Sequence, residues 1–285
     1  MIMDIRAISE VVSDLGEGPI WTPETNSVTW TDITQNTFHT ANIITGKTES
    51  FGVPLMIGAI AQTKDGHYIT ATQKGFARIS VDGQYSPLHS FLQDDMRMND
   101  GKVDPAGRFW AGSMALSFEK DRGSLYVLEK DNSYQKVLDN ITLSNGMGWS
   151  PDAQYFYYID SIPGVLKRFD YDLDDGKISN PKNLITFDAA SGVPDGMSVS
   201  SDGKIVVALW DGGRIEIYEP TGAKVSEIKL GVSRPTCCTF VGPNQDILIV
   251  STASQGINRA DEPLAGKILA VTGTGLSGLP TQQYG

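Results

Sequence analysis

Cysteine and histidine are scarce in this sequence, basic residues are outnumbered, and no long apolar run occurs in its 285 residues. The two cysteines, Cys237 and Cys238, are adjacent inside an apolar stretch. Neighbouring cysteines rarely meet disulfide geometry, so both read as reduced packing residues, and a reducing, cytoplasmic compartment is expected. None of the three histidines, His39, His67 and His89, falls at the ring positions picked out below, so a histidine-based zinc site or a Ser-His-Asp triad has little support. Lys and Arg total 23 against 34 Asp and Glu, a formal net charge of −11. Nucleic acids are bound through a positive footprint, so no nucleic-acid partner is expected. No basic amphipathic stretch is present to bind an anionic membrane. The N-terminal segment MIMDIRAISEVVSDLGEGP carries acids early and lacks an apolar core, so it is expected to be neither a signal peptide nor a transmembrane segment. Helical periodicity is also missing from every long segment.

Glycine and proline are plentiful, at 30 and 14 residues, and they punctuate a repeat. Its unit is a polar-glycine step, an apolar or alternating run, a Pro/Asp/Gly turn, and a second β-rich run. EGPIWTPETNSVTWTDI, NDGKVDPAGRFWAGSM, NGMGWSPDAQYFYYIDS and DGMSVSSDGKIVVALW are clear copies. GAIAQTKDGHYITATQKG is a weaker one, and RPTCCTFVGPNQDILIVSTA makes a sixth. The second runs are dense in β-branched and aromatic residues, the composition of strands. Further strands follow in GSLYVLEK, GVLKRFDYD and GRIEIYEP. Six copies, roughly 40 to 50 residues apart, match the blades of a β-propeller. A solenoid is less well supported, because no capping segments mark the ends. The expected fold is therefore all-β: a single-domain, six-bladed β-propeller over residues 1–285. Its ring would close by pairing the N-terminal run IRAISEVV into the blade formed by KILAVTG.

Alignment on the turns carries the functional reading. Counting back by one step from Pro23, Pro105 and Pro151 reaches Glu17, Asn99 and Asn145. Counting back from the Asp-Gly turns at Asp65 and Asp202 reaches Gly58 and Asp195. Equivalent positions of successive blades ring the central channel, so Glu17, Asn99, Asn145 and Asp195 point oxygen donors at one place. Asn or Asp before Gly is an ordinary turn former when taken singly; recurrence in register is what sets these apart. Two carboxylates and two carboxamides with no nearby lysine are costly to gather without a cation. Oxygen donors suit calcium, magnesium or manganese, and suit zinc less well than His or Cys would.

The motifs LGEGPIW, RMNDGKVDPAGRFWAGSM, LSNGMGWSPD and GVPDGMSVSSDG, followed by RPTCCTFVGP and DEPLAGKILAV, resemble those of the senescence-marker-protein/gluconolactonase (regucalcin-like) family, in the same order and over nearly the whole chain. The resemblance implies a six-bladed propeller that hydrolyses a sugar-derived lactone with one bound divalent metal ion, drawn across the family from calcium, magnesium, manganese and zinc. It implies Glu17, Asn145 and Asp195 as metal ligands, with Arg97 and Asn99 contacting the substrate. Where close relatives read AGTM followed by paired glutamates, this chain reads AGSMALSFEK. Leu116 and Ser117 thus stand where an acidic substrate contact is expected, and Glu119 is out of register with it. The departure bears on the preferred sugar and leaves the metal set untouched.

The expected reaction is hydrolysis of a small-molecule aldonolactone, with the metal polarising the carbonyl and Asp195 as the catalytic residue, either base or nucleophile. Two alternatives keep the fold: a metal-dependent hydrolase of another ester or an organophosphate, and a non-catalytic calcium-binding propeller. WD-repeat signatures of an interaction platform are absent from the sequence. Nothing in the sequence fixes the oligomeric state.

Overall fold

A sheet that is apolar on both faces needs a neighbour on each side, and a closed ring of such sheets supplies one to every member. In the computed structural model, which describes residues 3–285, the chain forms six four-stranded antiparallel sheets arranged in this way. Residues 1 and 2, part of the expected domain and N-terminal segment, lie outside the described residues. The innermost strands of the six blades are Gly16–Thr22, Ile57–Gln62, Met96–Val103, Ser144–Trp149, Val193–Val199 and Pro235–Val241. Each packs against the innermost strand of the next blade, and Pro235–Val241 packs against Gly16–Thr22. The protein is thus an all-β, six-bladed propeller.

The apolar core is divided into six clusters, each between successive blades. Between the third and fourth blades it is aromatic, with Trp110, Trp149, Phe156, Tyr158 and Tyr171 all buried. Asp104, fully buried in the VDPAGRFW turn, ties these two blades together. It accepts from Trp110 Nε1 (2.9 Å), Tyr171 OH (2.7 Å) and Arg108 Nη1 (3.1 Å). The outermost strands are polar and solvated; five of the six residues in Lys224–Lys229 are exposed.

The sixth blade is assembled from both ends of the chain, in the order Asp4–Ala7, Leu269–Thr272, Ile247–Thr252 and Pro235–Val241. Asp4 lies opposite Thr272 and Ala7 opposite Leu269. Beyond Thr272 the chain crosses one mouth of the channel, where Gly278 pairs with Ser200 and Tyr284 with Thr63. Leu279, Pro280, Thr281 and Gln282 line a 340 Å³ cavity at that end. Helix is confined, among the described residues, to the single turns Pro23–Thr25 and Ala189–Ser191. None is long and apolar enough to cross a membrane. Cys237 and Cys238 are buried free thiols, and burial pushes the Cys238 thiol up to about 12.

Candidate metal and substrate site

Every innermost strand loses register with its neighbour at one point. The shifts fall between Glu17 and Ile20, Ile57 and Ala59, Met98 and Gly101, Ser144 and Met147, Pro194 and Met197, and Pro235 and Cys237. A bulge takes one side chain out of the pleat and re-aims it. Glu17, Gly58, Asn99, Asn145 and Asp195 all sit at or within these shifts, and Thr236 occupies the sixth. The glycines beside them let neighbouring strands approach. A Cβ on Gly146 would lie 2.7 Å from the Asp195 carbonyl oxygen, and one on Gly196 would lie 2.4 Å from Cys237 Sγ. This is the physical content of the SNG and PDG motifs.

A second device fixes two of these strands at their start. Asp32 and Asp160 end the second strands of the first and fourth blades. Asp32 accepts from the backbone N–H groups of Asp14 (2.8 Å) and Leu15 (3.0 Å), just ahead of Glu17. Asp160 does the same for Thr142 (3.1 Å) and Leu143 (2.9 Å), just ahead of Asn145.

Glu17, Arg97, Asn99, Asn145 and Asp195 line one cavity of 240 Å³, at the channel mouth opposite the C-terminal crossing. All five are buried. Arg97 Nη1 donates to Asn99 Oδ1 at 2.6 Å and to the Met98 carbonyl at 3.0 Å, while Asn99 Nδ2 donates to the Ser144 carbonyl at 2.7 Å. The Asn99 carboxamide is therefore occupied at both ends, unlike that of Asn145. Asn145 Nδ2 donates to Ser161 Oγ at 3.0 Å, and the Ser161 hydroxyl donates in turn to the Pro194 carbonyl at 2.6 Å. Asn145 Oδ1 is left buried with no partner.

Charge accumulates around that oxygen. Burial, then Asp195, then Asp100 hold the Glu17 carboxyl well above the usual range. Burial and then Asp100 do the same to Asp195. Arg97 is itself pushed down to about 10 by burial, against the pull of Glu17 and Asp195. Burial also raises Asp100, against the pull of Lys102, whose ammonium donates to the Met197 carbonyl at 2.7 Å and lines the cavity at the opposite mouth. Two carboxyl groups and an unpartnered carbonyl oxygen thus share one buried cavity. That donor set fits a divalent cation of the oxygen-seeking kind. Among the described residues no three His, Cys, Asp or Glu side chains gather into a metal site, so the carboxamide of Asn145 is needed to complete this one.

Several contributors escaped the sequence reading. Ser161 orients Asn145, Asp100 adds negative charge below the site, and Thr236 fills the sixth ring position with its hydroxyl on the Gly16 carbonyl and Ser251. Phe118, Ile162, Trp210 and Gln255 line the same cavity. Leu116, Ser117 and Glu119 do not, and Glu119 is instead paired with Arg122 at 2.7 Å.

Comparison with known proteins gives a consistent picture. Residues 15–254 match the family described as SMP-30/Gluconolactonase/LRE-like region. Regucalcin of Gallus gallus is 36% identical over 282 residues, covering 95% of this chain and 94% of its own. A luciferin-regenerating enzyme superposes with a TM-score of 0.93 at 28% identity, over 99% of both chains. A calcium-binding protein, regucalcin, from Agrobacterium tumefaciens superposes with a TM-score of 0.94 over 99% of this chain and 98% of its own; at 24% identity it speaks to the fold alone.

Proposed function

The chain belongs to the SMP-30/gluconolactonase/LRE-like family, and from that premise we propose that it is a metal-dependent lactonase opening a sugar-derived lactone to its aldonic acid. Glu17, Asn145 and Asp195 would hold the divalent ion. The observation that carries this reading is the buried Asn145 carbonyl oxygen, turned away from Ser161 and unpartnered beside two carboxylates. A cation bound there would polarise the lactone carbonyl as a Lewis acid.

The protein's own groups supply the rest. Asp195, buried at the cavity floor, accepts a proton from the attacking water or attacks the carbonyl itself. Burial raises its basicity and a bound cation lowers it again, so the two routes are separated by experiment. Single turnover in oxygen-18 water that leaves label in Asp195 identifies direct attack. Arg97, braced by Asn99 and the Met98 carbonyl, presents its remaining N–H groups to the ring hydroxyls. Asn99, with both ends committed, keeps that guanidinium in place.

The test is hydrolysis of a panel of aldonolactones by metal-stripped protein, with calcium, magnesium, manganese or zinc restored singly. Ion-dependent turnover supports the reading. Turnover of other esters or organophosphates alone moves the protein to a different hydrolase activity. Ion binding without any turnover would make it a calcium-binding propeller that performs no chemistry.

A further inference from the structure

We propose that this site, read as a lactonase, is shaped for lactones whose end remote from the carbonyl is apolar, such as deoxyaldonolactones ending in a methyl instead of a hydroxymethyl. The inference rests on the reading above and concerns the outer half of the same cavity. The polar groups lie at its floor, where Glu17, Asn145 and Asp195 fix the position of the reacting carbonyl. The far end of a ring held there faces Phe118, Leu143, Ile162, Val193 and Trp210.

Two features separate this rim from incidental packing. Phe118 and Ile162 are each 54% exposed, so burial in the fold accounts for neither. Phe118 also adopts φ +59°, with its N–H on the Ala115 carbonyl at 2.9 Å. Bulky side chains rarely take that conformation, whereas glycine or asparagine holds it without strain. Strain of this kind persists where the side chain has a use. Trp210 is fixed from behind by Arg234, whose guanidinium lies 4.7 Å from its ring centre and pairs with Asp211 at 2.6 Å.

Polar partners for a terminal hydroxyl are correspondingly few. Ser161 is committed to Asn145 and Pro194, and the Glu119 carboxylate is paired with Arg122. Leu116 and Ser117 leave the loop before Phe118 without an acidic group. Among the rim residues only the Gln255 carboxamide and the indole N–H of Trp210 are uncommitted polar groups. A hydroxymethyl group set against Phe118, Leu143, Ile162 and Val193 would lose water and find no hydrogen-bond partner on those four side chains, while a methyl group loses nothing.

The experiment compares matched lactones of identical stereochemistry: rhamnono- against mannono-1,4-lactone and fucono- against galactono-1,4-lactone, each as both enantiomers, with the ion-loaded protein. The expected result is kcat/KM about tenfold or more in favour of the methyl-bearing member of at least one pair. Phe118→Asn, which suits the positive φ, and Ile162→Ser should each shrink that preference to about threefold or less. Equal or better turnover of the hydroxymethyl member by the unaltered protein overturns the inference and leaves the lactonase reading standing. So does a preference that neither substitution moves. Hydrolysis of no lactone at all removes both.

Discussion

Replacing Glu17 by Gln should reverse its sign of effect according to whether a divalent ion is present. Without the ion, Glu17 and Asp195 are buried carboxyls that repel each other and Asp100. Both titrate above the usual carboxylate range, so the folded state binds more protons than the unfolded chain does as pH rises past that range. Their contribution is therefore intact at low pH and lost as pH climbs through the raised values. Ion-free protein should be less stable at pH 8 than at pH 5, and Glu17→Gln should flatten that slope. Removing one of the two charges should stabilise the ion-free protein at pH 8 by about 1–2 kcal/mol. With an unfolding entropy of about 2.1 cal/mol/K per residue, a chain of 285 residues has about 600 cal/mol/K, and the gain is about 2–3 °C in Tm. The ion acts oppositely. At a hundredfold excess over Kd it stabilises the unaltered protein by about 2.7 kcal/mol, or about 4–5 °C, and Glu17→Gln should lose most of that shift. Differential scanning fluorimetry of both proteins, with chelator and with each ion, reads all four quantities. An equal ion-induced shift in the two proteins would refute the assignment of Glu17. A variant less stable than the parent in chelator would refute the electrostatic argument.

Other expectations follow from single contacts. Ser161→Ala releases the Asn145 carboxamide and should weaken cation affinity about 10- to 100-fold in a competition titration, with little change in chelated stability. Asp195→Ala should abolish lactone turnover, whereas Arg97→Ala should raise KM more than it lowers kcat; an Asp195→Ala protein with undiminished activity would sink the mechanism. Asp104→Ala leaves the buried Trp110 Nε1 and Tyr171 hydroxyl without their acceptor, while Arg108 keeps Glu129 and the Leu173 carbonyl, and should cost about 2–4 kcal/mol by urea denaturation. Cation affinity per folded molecule should be unchanged by it.

Much of this architecture was legible because inner and outer strands differ in what surrounds them. Runs such as SVTWTD, YFYYID and IVVALW are buried on both faces, and their β-branched and aromatic content advertises it. The fourth strands carry no such signal: Lys224–Lys229 is solvated and reads as a polar loop. The ring positions could be found by counting because each bulge lies a nearly constant distance before its turn. Thr236 escapes that count, because six residues back from Pro243 in VGPNQD is Cys237, one position past it. Ser161 and the Asp32 and Asp160 clamps depend on strand pairing, with Gly16 opposite Asp32 and Ser144 opposite Asp160. That register is set by the folded sheet and has no local sequence mark. The cavity rim draws on loops of several blades, each free to vary, so no periodicity points to Phe118 or Ile162.

The pairing of Asp4–Ala7 with Leu269–Thr272 also sets a timetable for the growing chain. Ala7 and Leu269 are 262 residues apart by their numbers (269 − 7). At about 5–20 residues per second of synthesis, the earliest strand waits on the order of 10 to 50 s for its partner. During that interval its backbone donors and acceptors are open to any passing edge. Asp4 and Arg6, both exposed in the finished sheet, place opposite charges along that waiting strand. Charged side chains on an open edge discourage indiscriminate pairing, so the segment is guarded from its first moments outside the ribosome until its partner is made.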